Sequence, residues 1–388
     1  MKKSRSLGAW LWSAISMAAL FVIVVTSPGC GGGGGNNNGG GVAPPGGGGP
    51  LPGNTTPLPP ANTIFVNRTQ DLPGLNITIL GVTGGSGPGG SLQVGDYPSV
   101  TFDIKNDAGA DIPIFELNSA SIYLSGPTAN YQPVLDRESD LRDFSLDNGD
   151  GTYTYNWQLP IPATYLPGFN DTPAIGPEDG DWNGMPLVDG TYTFGIEVYK
   201  SYDVEGSSTR DPAFASMDVL FGNAAVIEPR EVVTTANCNS CHVELRFHGG
   251  FRREVLQCLL CHTAGAEDAN DPNILNGTPG VTVDFGPLIH RIHIGAYLPS
   301  NLGISTNPNG SRNYSGGAVA NQIVRGTRIY DYSEIYFPVW PSLDYPMPRD
   351  AGYSALNSTE QAQENAQRQG IVACHKCHGD PDGSGPLP

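Results

Sequence analysis

Six of the chain's seven cysteines lie after residue 237, and they form three Cys-x-x-Cys pairs, each followed at once by histidine. The motifs are Cys238-Asn239-Ser240-Cys241-His242, Cys258-Leu259-Leu260-Cys261-His262 and Cys374-His375-Lys376-Cys377-His378. They use every distal cysteine, so none remains to staple loops as a disulfide. Two residues between the thiols let both sulfurs reach the two vinyl groups of one porphyrin as thioethers. The histidine after the second cysteine then lies under the ring and ligates iron from that side. A zinc ribbon is the competing arrangement, because the sixteen residues between Cys241 and Cys258 fall within the ribbon window. That arrangement would leave the two following histidines, His242 and His262, without a purpose and the third pair without a partner. Three covalently bound haem c groups are therefore expected, with His242, His262 and His378 as proximal ligands.

Seven histidines are present, so four remain: His248, His290, His293 and His375. Methionine is scarce, and only Met347 lies in the motif-bearing region. His290 and His293 stand three apart in Leu288-Ile289-His290-Arg291-Ile292-His293, a spacing that on a helix puts both imidazoles on one face and lets them serve two neighbouring haems. His248 follows His242 by only six residues, too few to round the edge of the same porphyrin, so a different haem is its expected partner. His248, His290 and His293 are the expected distal ligands, and His375, inside a motif, is the least suited. An iron held by two histidines has no open position for a substrate and can only change oxidation state. Electron transfer is thus expected ahead of an enzyme that reduces a small oxyanion at one open iron.

The N-terminus carries an export signal. Lys2, Lys3 and Arg5 precede an apolar stretch from Leu7 to Val25, and Ser27-Pro28-Gly29-Cys30 follows. The stretch is also long enough to span a membrane. The order of parts resembles a bacterial lipoprotein signal, in which cleavage after residue 29 leaves Cys30 as the lipidated residue. Residues 30–61 are rich in Gly, Asn and Pro, bury nothing and are expected to be a disordered tether. Its root-mean-square reach is about 30 Å.

From 62 to 228 short alternating runs are broken by turn residues. Ile77–Leu80, Val100–Ile104, Ser121–Leu124, Tyr153–Trp157, Tyr192–Tyr199 and Ala215–Phe221 read as strands. Asn148-Gly149-Asp150-Gly151 and Asp189-Gly190 supply turn chemistry immediately before two of them. The expected fold is an all-β immunoglobulin-like sandwich or a small barrel, followed over 229–388 by a mostly irregular and helical multihaem domain. The β region contains neither Cys nor His, so its expected role is structural or docking, and an adhesion protein with secondary haems is the alternative.

The order of these motifs resembles the outer-membrane multihaem cytochromes of metal-reducing bacteria, the OmcA/MtrC type. The resemblance rests on the first two haem motifs with His248-Gly249-Gly250 between them, on Ile289-His290-Arg291-Ile292-His293-Ile294-Gly295, and on Tyr336-Phe337-Pro338 ahead of the last motif. It covers about 230–388. It implies that His248, His290 and His293 are distal ligands. It also implies an extracellular lipoprotein of the outer membrane or cell surface that passes respiratory electrons to metal oxides, chelated metals, other c-type cytochromes or a porin-cytochrome complex. Members carry two β-plus-haem halves, so a short or truncated member is expected here. The formal charge of −18, to which haem propionates would add, excludes nucleic acid and favours cations, mineral surfaces and basic proteins.

Overall fold

The computed structural model describes residues 72–139, 141–204, 207–268, 278–307, 309–336, 350–368 and 375–379. All of them lie within one unit, Phe65–Pro388. Eight strands come first: β1 (Asn76–Thr83), β2 (Ser99–Lys105), β3 (Ser119–Gly126), β4 (Gln132–Glu138), β5 (Leu146–Asp147), β6 (Thr152–Asn156), β7 (Gly190–Val204) and β8 (Ser207–Phe221). A short helix α1 (Leu141–Phe144) sits between β4 and β5. The strands form two antiparallel four-stranded sheets, ordered β1-β2-β6-β5 and β4-β3-β7-β8. Consecutive strands pair as hairpins that alternate between the sheets. The result is an open sandwich with no closed barrel among the described residues.

The alternation of β2 is strict: Val100, Phe102 and Ile104 are fully buried, and the residues between them are not. They meet Ile122 and Leu124 of β3 and Phe194, Ile196 and Val198 of β7 across the sandwich. Trp157 closes this core against Phe194, ring centres 5.5 Å apart.

The second sheet breaks the alternation for a physical reason. Ser121, Tyr123 and Ser125 of β3 and Thr193 and Glu197 of β7 point away from the core, yet all are buried. The segment after residue 240 covers that face. Ser125 Oγ donates to the Leu260 carbonyl at 2.9 Å. Gly195 lets the Leu260 side chain approach, since a Cβ there would stand 2.8 Å from Leu260 Cδ1 and 2.7 Å from the Tyr123 ring.

Strands β4 and β8 are the edges of this sheet, which is why each tolerates a proline, Pro133 and Pro212. β7 and β8 run for 15 residues each, about twice the runs Tyr192–Tyr199 and Ala215–Phe221 expected from the sequence.

After the sandwich come α2 (Thr235–His242), α3 (Val255–Leu259), α4 (Phe285–Ile294), the hairpins β9–β10 (Ser305–Thr306, Arg312–Asn313) and β11–β12 (Gln322–Arg325, Arg328–Asp331), α5 (Ser358–Ala366) and α6 (His375–His378). Helix starts follow local chemistry. The Thr234 side chain accepts from Asn237 N, Asp284 from Gly286 N, and Asn357 forms a capping box with Glu360. The apolar support is slight. Leu245, Val255 and Phe285 form one small cluster, with Cys238 and Cys258 packed on it. No described helix is long and apolar enough to cross a membrane. The apolar stretch from Leu7 to Val25, the tether, Cys30, Phe337, Pro338, Met347 and Cys374 lie outside the described residues.

Candidate haem centres

The three motifs converge although they are far apart in sequence. The first and second meet where Thr235 Oγ1 donates to Glu254 Oε2 (2.7 Å) and accepts from Val255 N (3.0 Å). The first and third meet where Asn237 Nδ2 donates to the Cys377 carbonyl at 3.0 Å. The first motif therefore sits between the other two. Cys241 and Cys377 are exposed and Cys238, Cys258 and Cys261 half-buried, and none of these five is in a disulfide. Burial pushes the Cys258 thiol up to about 12 and raises Cys261 and Cys238 as well, so these sulfurs are neutral thiols at pH 7. Among the described residues no group of three or more His, Cys, Asp or Glu is gathered to hold a metal ion.

The histidines come in pairs instead. His242 faces His293 with ring centres 6.1 Å apart, His262 faces His248 at 6.0 Å, and His378 faces His290 at 6.2 Å. Each pair joins one motif histidine to one histidine outside the motifs. Two imidazoles bound to a single metal ion place their ring centres roughly 6 Å apart, from metal–nitrogen bonds of about 2 Å and about 1 Å more to each ring centre. The spacing of all three pairs thus fits an iron between the rings. The interplanar angles differ, at 90°, 41° and 19° respectively.

The protonation states suit the same chemistry. Nδ1 of His262 lies 2.8 Å from the Val283 carbonyl, that of His290 2.9 Å from Gly286 O, and that of His293 2.8 Å from Ile289 O. A ring that donates from Nδ1 to a carbonyl presents the lone pair of Nε2, which is how ligating histidines are oriented. Partial desolvation by the surrounding chain pulls His248, still exposed on one side, down to about 4, with the Arg252 charge adding to the effect. His242, His262 and His290 are lowered too, in each case chiefly by burial. All four are neutral imidazoles at pH 7, the form that ligates.

Helix α4 carries both His290 and His293, one turn apart, and sends them to two different motif histidines. His248 lies on the tight loop 247–252, closed by Phe247 N to the Arg252 carbonyl at 3.0 Å. His375 opens α6.

Sequence reasoning passed over the sandwich residues that abut this site. Glu197 of β7 is 1% exposed. It accepts from Arg252 Nε (2.9 Å), Arg252 Nη2 (3.0 Å), Arg137 Nε (2.8 Å) and Gln257 Nε2 (2.9 Å). Burial works to raise its carboxyl, but the two guanidinium groups outweigh it and hold Glu197 below the usual range. The clue in the sequence was an acidic residue within the apolar run Tyr192–Tyr199, beside a strand glycine.

The region that carries the motifs is similar to known proteins. The profile of the family described as outer membrane cytochrome MtrC/MtrF-like, domains II/IV, matches residues 230–385. The multiheme cytochrome MtrC of Shewanella baltica (strain OS185) is 25% identical over 219 residues, covering 52% of this chain and 29% of that protein. The crystal structure of MtrC from Shewanella baltica OS185 superposes with a TM-score of 0.36 at 21% identity, over 56% of this chain and 32% of that one. The chain spans less than a third of the length of each. Over residues 230–385 the chain is similar to domains II/IV of the MtrC/MtrF-like outer membrane cytochromes.

Proposed function

We propose that the chain is an exported electron-transfer protein carrying three covalently attached haem c groups, each held between two histidines. The observation that carries this reading is the set of three facing pairs, His242–His293, His262–His248 and His378–His290, at 6.0 to 6.2 Å. Bound haem supplies reversible one-electron chemistry at iron. Cys238 and Cys241, Cys258 and Cys261, and Cys374 and Cys377 supply the thioether sulfurs. His242, His262 and His378 would hold the irons together with His293, His248 and His290, which would leave no position for a substrate.

The contacts between motifs support an order in which the first haem lies between the second and the third. Thr235 and Asn237 would thereby hold the first site next to both others, close enough for haems bound there to exchange electrons. On this reading Cys30 carries the lipid anchor, and residues 30–61 hold the folded part off the outer membrane or cell surface. Donors and acceptors are other c-type cytochromes, a porin-cytochrome complex, and metal oxides or chelated metals.

The test is to express the chain with a haem-attachment system. The mature protein should gain the mass of three haems, which denaturation does not remove, and should show reversible reduction by voltammetry. A colourless, zinc-containing product would overturn the reading.

A further inference from the structure

The backbone at His248 is held in an unfavourable conformation. Its φ is 51°, in the left-handed region that side chains other than glycine seldom adopt, and Gly249 and Gly250 continue the turn at 81° and 89°. Such a conformation persists only where its surroundings over-determine it. The loop's own bonds supply part of that: Arg252 N to Phe247 O at 3.3 Å and Gly250 N to Phe247 O at 3.0 Å. The rest comes from the sandwich.

Arg210, on edge strand β8, donates from Nη1 to the carbonyls of Gly249 (3.2 Å) and His248 (3.4 Å). Its guanidinium lies over the rings of Tyr199 (4.9 Å) and Phe251 (5.5 Å), which themselves pack 5.3 Å apart. On the other side of the loop Arg252 is fixed by two bonds to buried Glu197 and lies 5.2 Å from the Phe251 ring. Residues 247–252 are thus gripped at both ends by side chains of β7 and β8.

We infer that Arg210 and the Glu197–Arg252 pair are positioning residues, which hold the left-handed turn so that the His248 ring faces His262. The β-sandwich is then part of the machinery of the second haem and more than a docking module. This inference rests on the reading that His248 and His262 share one iron. In this role Arg210 acts through the backbone of residues 248 and 249.

The test uses the full-length, haem-loaded chain with Arg210→Gln, Arg210→Lys and His248→Ala. The readouts are haem content by mass, the ferric high-spin signal and carbon monoxide binding to the reduced protein. His248→Ala should open one haem equivalent. Arg210→Gln should keep all three haems, yet show high-spin signal and carbon monoxide binding at that same haem, up to one equivalent. Arg210→Lys keeps a donor but cannot stack as a planar fork, and should recover part of the ligation. Added free imidazole should remove the high-spin signal of Arg210→Gln, as it does at an open iron, and an unchanged far-ultraviolet circular dichroism spectrum separates this from general unfolding. If His248→Ala opens one haem while both Arg210 variants stay closed, the inference is wrong and the haem reading stands. If His248→Ala opens none, His248 is not a ligand and both fail. Should Arg210→Gln not accumulate, Arg210→Lys decides alone, because a fully closed second haem in that variant would overturn the inference.

Discussion

Replacing Glu197 with Gln should destabilise the haem-loaded protein by about 3 kcal/mol at pH 7, the scale for removing one partner of a buried ion pair. The carboxylate is 1% exposed and accepts from three side chains, so its loss leaves the Arg252 guanidinium, itself 14% exposed, without its counter-charge. Arg137 contributes less, because at 38% exposure water screens its attraction. The pH dependence follows from the sign of the shift. The carboxyl is held below its ordinary 4.5 in the folded protein. Its contribution is therefore fully present above 4.5 and is lost as pH falls through the folded value. Denaturant midpoints followed by far-ultraviolet circular dichroism should separate wild type and Glu197→Gln clearly at pH 7, and the gap should narrow below pH 4.5. A difference under about 1 kcal/mol at pH 7, the scale of an exposed pair, would refute the reasoning. So would a gap that stays constant down to acid pH.

Two further changes probe other parts of the chain. Gly195→Ala places a methyl group 2.8 Å from Leu260 Cδ1, and should cost about 1–3 kcal/mol by overpacking; an unchanged denaturant midpoint would show that the second motif does not pack there. Cys30→Ser should release the protein from membrane fractions with its haem content intact, and a variant that stays membrane-bound would mean that the apolar N-terminal stretch is the anchor.

What the sequence made legible is what local chemistry decides. Val100–Ile104 and Tyr192–Tyr199 alternate as half-buried strands should, and both fall within strands of the sandwich. Strand β4 escaped notice because Gln132-Pro133 opens it and Asp136-Arg137-Glu138 ends it, a composition that only an edge position allows. Asp211-Pro212 masked the first half of β8 in the same way. The haem motifs were visible because three residues within each five-residue window define them. Which histidines face each other was not, because His242 and His293 meet only through the packing of α4. Glu197, Arg210 and Gly195 were hidden by the same limit. Their partners lie in the segment after residue 240, and nothing within β7 or β8 reveals what will cover that face.

The central claim is that each of the three irons is closed on both sides by histidine. Carbon monoxide titration of the fully reduced, haem-loaded protein at neutral pH tests it most directly. The three facing pairs at 6.0 to 6.2 Å predict little or no binding in the wild type. They also predict one newly reactive haem for each of His290→Ala and His293→Ala, and none for His375→Ala. A wild-type protein with one readily binding, high-spin haem would contradict the account and make that iron a site for substrate chemistry.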